Sequence, residues 1–283
     1  MDTMISFHND NLSNAMTKEQ IKAVCPLAFY QEPTNPGVSN KYMMANTETI
    51  IDDMARLGWY PVEAKQCRAK KGSKGIRSLH LVAFQNPEIY TVDENGNPDC
   101  YYRIILLNSH DGFNSFVFRV GLIRLCCSNG LCIGTNMMAE ISIRHINYTF
   151  EQLRTLMSDT ISKVPYVTEA MNNMKSIVLN DEQKNEMAKE VIKIKKGVST
   201  EDDIDVPEEV VADVLTPVRD EDKTNDLWTV FNVCQEKLMK GLFSMPDKNN
   251  KPRKQRKIVS FKKDINYNQR LWDYAYSFAE KVV

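Results

Sequence analysis

The sequence predicts an α+β protein, in which a mainly antiparallel sheet with one packed helix precedes a helical C-terminal half. Before residue 148, apolar side chains recur at every second position in several segments, which is the period of a half-buried strand. After residue 148 they recur at intervals of three and four, which is the period of an amphipathic helix. Glycine, proline, asparagine and aspartate separate the periodic segments and mark turns.

Five segments carry the strand pattern. In the second of them, Leu79, Leu81 and Ala83 alternate with His80 and Val82. The predicted strands are WYPVEAKQCRA (59–69), RSLHLVAFQ (77–85), YYRIILLNS (101–109), FNSFVFRVGLIRLCC (113–127) and EISIRHI (140–146).

Two stretches between these strands predict turns. The first is VDENGNPD, at 92–99. In RLCCSNGLCIG, at 124–134, Asn129 and Gly130 predict a two-residue type I′ hairpin, because both central positions need a positive φ. This turn would set Cys127 opposite Cys132 as a reduced cross-strand pair.

Helices are predicted where a capping residue precedes apolar residues at helical spacing. Thr47 would cap the helix that packs on the sheet, ETIIDDMARL at 48–57, and Gly58 would be its left-handed C-terminal cap. The other predicted helices follow the Thr17–Gln20 and Thr149–Gln152 capping boxes, cover 167–177 and 181–196, end at Gly241, and occupy the C-terminus.

Changes of pattern divide the chain into four predicted parts. An N-terminal arm (1–40) precedes the sheet domain (41–147). A helical region (148–245) follows and contains an exposed acidic loop at 201–222. The last part (246–283) combines a basic segment with the C-terminal helix.

The net charge of −1 conceals strong local segregation of charge. Residues 65–77 carry six cations and no acid, and residues 248–263 carry eight Lys or Arg and no acid. Residues 201–222 carry ten acids against Arg219 alone. Such runs are ordinarily solvated, but two basic segments favour a polyanionic partner.

The composition is that of a globular protein of the cytoplasm. The first residues have no apolar core of a signal peptide, and no apolar run approaches the ~20 residues of a membrane helix. We therefore expect a protein of the bacterial host cytoplasm with no membrane partner and with its seven cysteines reduced.

No complete cofactor or metal motif is present. Cys126, Cys127, Cys132 and His145 are zinc-binding types, but the Cys-x2-Cys spacing is missing. KKGSKGIR lacks the spacing of a phosphate loop, and no G-x-G-x-x-G follows a strand. The sequence thus predicts no cofactor and no metal, and favours a protein that is not an enzyme.

One short motif leaves two interpretations open. NSHDG, at 108–112, is either a structural turn or, through His110 and Asp111, the active site of a metal-dependent nuclease or phosphodiesterase. The motif residues with these alternatives are Asn108, Ser109, His110, Asp111, Gly112, Ser128, Asn129 and Gly130.

Cations interleaved with aromatic residues predict a nucleic-acid surface, because arginine binds phosphate and aromatic rings stack on bases. The interleaved rings are Tyr101, Tyr102, Phe113, Phe116 and Phe118, of which the last two favour core packing. The candidate binding residues are Lys70, Lys71, Lys74, Arg77, Arg119, Arg124, Arg144, His145, Arg253, Lys254, Arg256 and Lys257.

The ordered motifs resemble those of a family from bacteriophages and plasmids that is classified as a domain of unknown function. They are a GW after a helix, NSHDG, R-x-x-CSNGL, RH and a late W-x-x-x-N helix, and the resemblance covers roughly residues 40–245. The arrangement of strands, long helix and basic loops is also similar to phage single-strand annealing proteins, by analogy of fold alone.

These observations favour a non-enzymatic nucleic-acid-binding protein that handles single-stranded DNA in replication or recombination. The metal-dependent nuclease is one alternative. Another is a counter-defence protein that binds a host protein through its acidic segment. The sequence leaves homo-oligomer formation and the choice between DNA and RNA open.

Overall fold

The fold is taken from a computed structural model, which describes residues 14–40, 42–67, 71–72, 75–92, 96, 98–114, 116–124, 130–132, 141–143 and 149–282. The chain forms two compact units. Unit 1 comprises Met1–Gly130 and Met138–Val164, and unit 2 comprises Leu131–Met137 and Pro165–Val283. The predicted α+β class, with a sheet before a mainly helical half, is confirmed.

Unit 1 is built on an antiparallel sheet whose long strands follow one another along the chain. Its order is β1-β4-β5-β6-β7, and β8 also pairs with β6. The strands are β1 (Tyr60–Gln66), β2 (Lys71–Gly72), β3 (Gly75–Ile76), β4 (His80–Val92), β5 (Pro98–Asn108), β6 (Phe116–Arg124), β7 (Gly130–Cys132) and β8 (Ile141–Ile143). The short strands β2 and β3 pair only with each other, and form a small hairpin within the basic segment 65–77.

The helices of unit 1 begin at polar caps. They are α1 (Lys18–Val24), a 3-10 turn (Pro26–Phe29), α2 (Thr47–Arg56) and α3 (Phe150–Ile161). Two short segments of the predicted N-terminal arm are therefore helical, and Ile21 and Leu27 within them are 0% and 1% exposed. The boundary between the units follows α3, so this helix is grouped with the sheet.

The two faces of the sheet differ in burial. Even-numbered residues of β5 from Cys100 to Asn108 are buried, whereas the odd-numbered ones are half-buried. Because paired positions share a face, the buried face continues through Phe84 in β4 and Phe118 in β6. The rings of Phe116 and Phe118 meet edge to face at 4.9 Å, so the predicted core role of both is confirmed.

Helix α2 packs on the buried face, and its cap differs from the prediction. Asn46, not Thr47, is the N-cap, and its side chain accepts the N–H groups of Glu48 and Thr49. Thr47 is the first helical residue and its hydroxyl points into the protein. Gly58 follows the helix with a φ of 81°, as predicted for a left-handed C-terminal position.

The predicted type I′ turn needs a correction at Gly130. This residue begins β7 and so belongs to a strand, not to the turn. Strand β7 neighbours β6 in the sheet, and residues 125–129 join the two strands along the chain. Those residues lie outside the described part of the chain, and the pairing of Cys127 with Cys132 stays a prediction.

Unit 2 is a helical body with a small hairpin. Its elements are α4 (Val164–Ser176), α5 (Asp181–Lys196), α6 (Glu208–Leu215), a 3-10 turn (Asp220–Asp222), α7 (Leu227–Lys240), β9 (Ser244–Pro246), β10 (Pro252–Lys254) and α8 (Phe261–Val282). Asn180 caps α5 through a capping box with Gln183, and Gly197 and Gly241 end α5 and α7 in the left-handed conformation.

Aromatic rings of α7 and α8 fill the core of unit 2. Phe231 stacks against Trp228 with ring centroids 5.7 Å apart, and meets Trp272 edge to face at 5.9 Å. Gln235 and Asn268 join the same two helices by a buried hydrogen bond of 2.7 Å.

The acidic segment 201–222 is not the loop that its composition predicts. Val210, Val211 and Val214 form the apolar stripe of α6 and are at most 7% exposed. Arg219, the one cation of this segment, donates to both carboxylate oxygens of Glu236 on α7. The apolar stripe and this ion pair bind the segment to the helices around it.

Within the described residues, no helix is both long enough and apolar enough to cross a membrane.

Candidate functional site

The NSHDG motif forms a turn between β5 and β6 whose polar residues are buried. Asn108, Ser109 and His110 are 0% exposed, and Asp111 is 1% exposed. Beyond Gly112, with its φ of 72°, the chain returns to the surface. The motif is thus a packed part of unit 1.

Thr47 joins helix α2 to this turn. Its hydroxyl lies 2.7 Å from Nε2 of His80 and 3.3 Å from Nε2 of His110. It also accepts a hydrogen bond of 2.8 Å from Nδ2 of Asn108. The two imidazole rings meet edge to face, with centroids 4.9 Å apart. One hydroxyl therefore connects a helix, a strand and a turn.

These contacts determine where the hydrogens lie when both histidines are neutral. Nδ1 of His80 faces the carbonyl oxygen of Ser78 at 2.6 Å, so Nδ1 must carry the hydrogen and Nε2 the lone pair. The single hydroxyl hydrogen of Thr47 then goes to His80. The oxygen of Thr47 accepts from Asn108 and His110, which places the hydrogen of His110 on Nε2.

The Asp111 carboxylate is used for backbone hydrogen bonds. Oδ2 accepts the N–H of Ser78 at 3.1 Å, and Oδ1 accepts the N–H of Phe113 at 3.0 Å. Burial, followed by the charge of Asp111, raises the pKa of Tyr42 to about 12. Its protonated hydroxyl donates to the carbonyl oxygen of Ser109 at 3.2 Å.

This cluster has the geometry of a fold-stabilising network. Both oxygens of Asp111 and the hydroxyl of Thr47 are bound to groups of the protein itself. Across the described ranges, no group of three or more His, Cys, Asp or Glu side chains is arranged to hold a metal ion.

An exposed arginine–aromatic pair lies next to this cluster along the chain. Cζ of Arg77 lies over the ring of Phe113, 3.8 Å from its centroid. Arg77 is exposed and Phe113 is 39% exposed. Arg77 directly precedes Ser78, which is 0% exposed. Phe113 lies two positions after Asp111, which is 1% exposed. The buried network therefore fixes the position of an exposed pair.

Unit 2 carries a second basic feature, which we call the basic surface. The name covers the cations of three segments that meet near Lys195, which are Lys195, Lys196, Arg253, Lys254, Arg256, Lys257, Lys262 and Lys263. Nζ of Lys195, at the end of α5, donates to the carbonyl oxygen of Arg256 at 2.9 Å. Burial, and then the nearby charge of Lys263 on α8, lowers the pKa of Lys195. Cations from three separate segments thus converge.

The backbone around Gly241 holds this surface in place. The N–H of Gln255 donates to the carbonyl oxygen of Phe243 at 2.9 Å, and the N–H of Ile258 donates to that of Met239 at 2.9 Å. A Cβ atom added to Gly241 would lie 2.7 Å from the carbonyl carbon of Arg256. The basic segment therefore crosses the end of α7 at a distance that only glycine permits.

The cations of the basic surface differ from several other cations of unit 2, which pair with carboxylates. Arg219, Arg270 and Lys184 each form a salt bridge with a carboxylate. Among the residues that the structure describes, no side chain of the basic surface forms one. Arg253, Lys254, Arg256 and Lys257 are all exposed, so their charges are available to a ligand.

The other predicted binding residues lie in unit 1. Arg119 is half-buried in β6 opposite Ile105, and Arg124 lies opposite Cys100. Positions 119 and 124 fall on opposite faces of the sheet, because successive residues of a strand alternate. Only the backbone is described for Lys71 and Arg124, and the predicted residues Lys70, Lys74, Arg144, His145, Ser128 and Asn129 lie outside the described part of the chain.

Sequence reasoning missed Lys195, Lys196, Lys262 and Lys263, which complete the basic surface. The run KIKKG, at 193–197, indicates the end of a helix and carries positive charge. Nothing local indicated that this helix end meets a segment about sixty residues later, since the contact of Lys195 with Arg256 spans 61 positions.

The chain belongs to a family of proteins that is defined by sequence and not by activity. Residues 37–272 match the family described as Domain of unknown function (DUF932). The match covers NSHDG, CSNGL and the late tryptophan helix, and confirms the resemblance that the ordered motifs predicted.

Two curated relatives extend over nearly the whole chain. UPF0380 protein YafZ of Escherichia coli (strain K12) is 28% identical over 257 residues, which cover 91% of this chain and 89% of YafZ. UPF0380 protein YfjQ of the same strain is 27% identical over 257 residues, with the same two coverages. No solved structure matches the chain.

Proposed function

We propose that the protein binds nucleic acid without catalysing a reaction on it, and that its ligand is single-stranded DNA. The observation that carries this proposal is the basic surface, where cations of three segments converge and form no salt bridge with described residues. Phosphate groups carry the negative charge that would pair with the cations of this surface.

The cost of assembling like charges supports a ligand role. Lys195 and Lys263 repel each other, and the pKa of Lys195 falls through burial and this repulsion. The chain keeps these cations together although its acids pair with other cations, as Glu236 does with Arg219 and Lys240. A polyanion bound at this surface would relieve the repulsion and release counterions.

Nothing among the described residues favours the two alternatives. For a metal-dependent nuclease, His110 and Asp111 would need to face a substrate, but they are 0% and 1% exposed. For a protein-binding role, α6 would have to act through exposed acids such as Glu208 and Glu209, because its apolar stripe is directed inward.

A salt titration of single-stranded DNA binding tests the proposal. Replacing Lys254, Arg256 and Lys257 together by glutamine should lower the affinity, because three phosphate-binding charges are removed. The slope of log K against log salt should become shallower by about 0.7 for each phosphate group that the variant no longer binds. Fluorescence anisotropy with a labelled oligothymidylate at several salt concentrations measures both quantities.

A matched control removes the same charge elsewhere on unit 2. Lys184, Lys189 and Lys223 are each salt-bridged to the carboxylate three residues earlier, Asp181, Glu186 and Asp220 respectively. Their joint replacement by glutamine should leave the slope unchanged. Equal slopes for the two triple variants would contradict a specific role of the basic surface, and absence of any binding by the unchanged protein would contradict the proposed function.

A further inference from the structure

Arg77 and Phe113 form a second ligand-binding feature of different chemistry. The guanidinium group is planar and has two faces, of which one lies against the Phe113 ring at 3.8 Å. Arg77 forms no salt bridge with any described residue, and it is exposed. Because Arg77 is exposed and one face of its guanidinium group lies against Phe113, the other face is available to a ligand.

The pair is held by groups that cannot easily move. Ser78, next to Arg77, donates its N–H to the carboxylate of Asp111 at 3.1 Å. The hydroxyl of the same serine accepts the N–H of His110 at 2.7 Å. The other carboxylate oxygen of Asp111 accepts the N–H of Phe113 at 3.0 Å. The two bonds of Ser78 are buried and that of Phe113 is partly buried, so the backbone beside both members of the pair is held before any ligand arrives.

We infer that Arg77 and Phe113 form a stacking platform for one unpaired base of a single-stranded nucleic acid. The base stacks on the open face of the guanidinium group, which itself lies on the aromatic ring. The N–H groups of Arg77 then reach the adjoining phosphate. A base in a duplex is covered by its neighbours on both sides and cannot enter such a stack. This inference rests on the proposed function and adds to it the preference for unpaired strands.

The test compares variants of the full chain for binding to an oligothymidylate and to the same length of duplex. Phe113→Ala removes the ring that supports the guanidinium group of Arg77, and it should lower the affinity for the single strand by about 5-fold or more, which is the lower end of the range for loss of one base stack. It should leave duplex affinity and the salt slope unchanged, because no charge is removed. Phe113→Tyr keeps a ring and should bind as the unchanged protein does.

Variants of Arg77 distinguish the contribution of the planar guanidinium face to binding from the contribution of its charge. Arg77→Lys keeps the charge and should lose single-strand affinity while retaining the salt slope. Arg77→Gln should lose affinity and also lower the slope by about 0.7. As a matched control, Tyr90→Ala removes an exposed ring that pairs with Tyr101 at 5.5 Å and not with an arginine, and it should not change the preference for single strands.

Photo-cross-linking locates the contact independently. An oligonucleotide containing 5-bromodeoxyuridine should cross-link to the peptides that contain Arg77 or Phe113. If single-stranded DNA binds but Phe113→Ala binds equally well, or the cross-links fall elsewhere, the platform is overturned and the proposed function survives. If the unchanged protein binds no nucleic acid at all, the proposed function fails, and the platform fails with it.

Discussion

Thr47 shows how much of unit 1 depends on a single hydroxyl. It is 0% exposed, and its oxygen meets His80, His110 and Asn108. Without this hydroxyl, Nε2 of His80 and Nε2 of His110 each lose a hydrogen-bond partner. Buried polar groups that lose a partner cost about 1–3 kcal/mol each.

Thr47→Val should therefore lower the free energy of unfolding by at least about 1–3 kcal/mol, because it keeps the shape of the side chain and removes the hydroxyl. Thr47→Ser keeps the hydroxyl and should lose less. Urea denaturation followed by circular dichroism gives both values. If valine proved as stable as serine here, the hydrogen-bonded network would not be the reason for the polar residues of the turn.

Glu190 should give the stability of unit 2 a pH dependence. It is 1% exposed, and burial raises its pKa above the ordinary value of 4.5, although Thr200 and Arg270 oppose this shift. A group whose pKa is raised on folding binds protons more tightly in the folded state. Its contribution to stability is thus fully present below pH 4.5 and is lost as pH rises through the folded-state pKa.

Glu190→Gln removes this titration while keeping the acceptor atom for Thr200 and Arg270, which both donate to Oε1 of Glu190. We expect the stability of the variant relative to the unchanged protein to increase between about pH 4.5 and neutrality. Thermal unfolding of both proteins across this range measures the difference. A difference that is constant with pH would show that Glu190 does not titrate in the range.

The elements divide into those that local sequence predicts and those that it does not. The capping boxes at Thr17 and Thr149 were predicted correctly, because each involves residues within one turn of helix. Helix α6 was missed, because acids dominate the composition around its three buried valines. Its stability comes from the packing of those valines against neighbouring helices, which the local sequence does not show.

Two glycines at helix ends allow a matched comparison. Gly197 and Gly241 have φ values of 75° and 67°, so alanine at either is strained by about 1–2 kcal/mol. An added Cβ meets nothing within 4 Å at Gly197 but lies 2.7 Å from the backbone of Arg256 at Gly241.

Gly241→Ala should therefore destabilise the protein by about 1–3 kcal/mol more than Gly197→Ala, because the basic segment must also move. The same variant should weaken binding to single-stranded DNA, whereas Gly197→Ala should not. Denaturation and anisotropy measurements on the two variants test both points. Similar losses in the two variants would argue against close packing of the basic segment on α7.

At the scale of the molecule, the net charge of −1 is a poor guide to the surface. Asp222, at the end of the acidic segment, forms a salt bridge with Arg219. The cations of the basic surface form no salt bridge with a carboxylate in the described chain. The sequence predicted both basic runs, since runs of charge are visible in one dimension. The sequence could not predict that the end of α5, the segment 253–257 and the start of α8 bring their cations together.

The same limit applies to the candidate site in unit 1. The sequence predicts a turn at His110 and Asp111, with a metal-dependent active site as the alternative. Their partners Thr47, Ser78 and His80 come from other elements, 30 or more positions away along the chain. Burial and hydrogen bonding assign these residues to the stability of the fold, and leave Arg77 and Phe113 as the exposed groups beside them.

The order β1-β4-β5-β6 of the sheet also bears on how unit 1 folds. Each long strand pairs with the next long strand along the chain, so only short loops must close for the sheet to grow, and the entropy lost at each step is small. The sheet can assemble by successive hairpins from any of its turns. Docking of α2 closes a larger loop, since Thr47 and Asn108 are 61 positions apart. We expect the buried polar cluster to form only after β4 and β5 have paired, because it brings Thr47 against the paired residues His80 and Asn108.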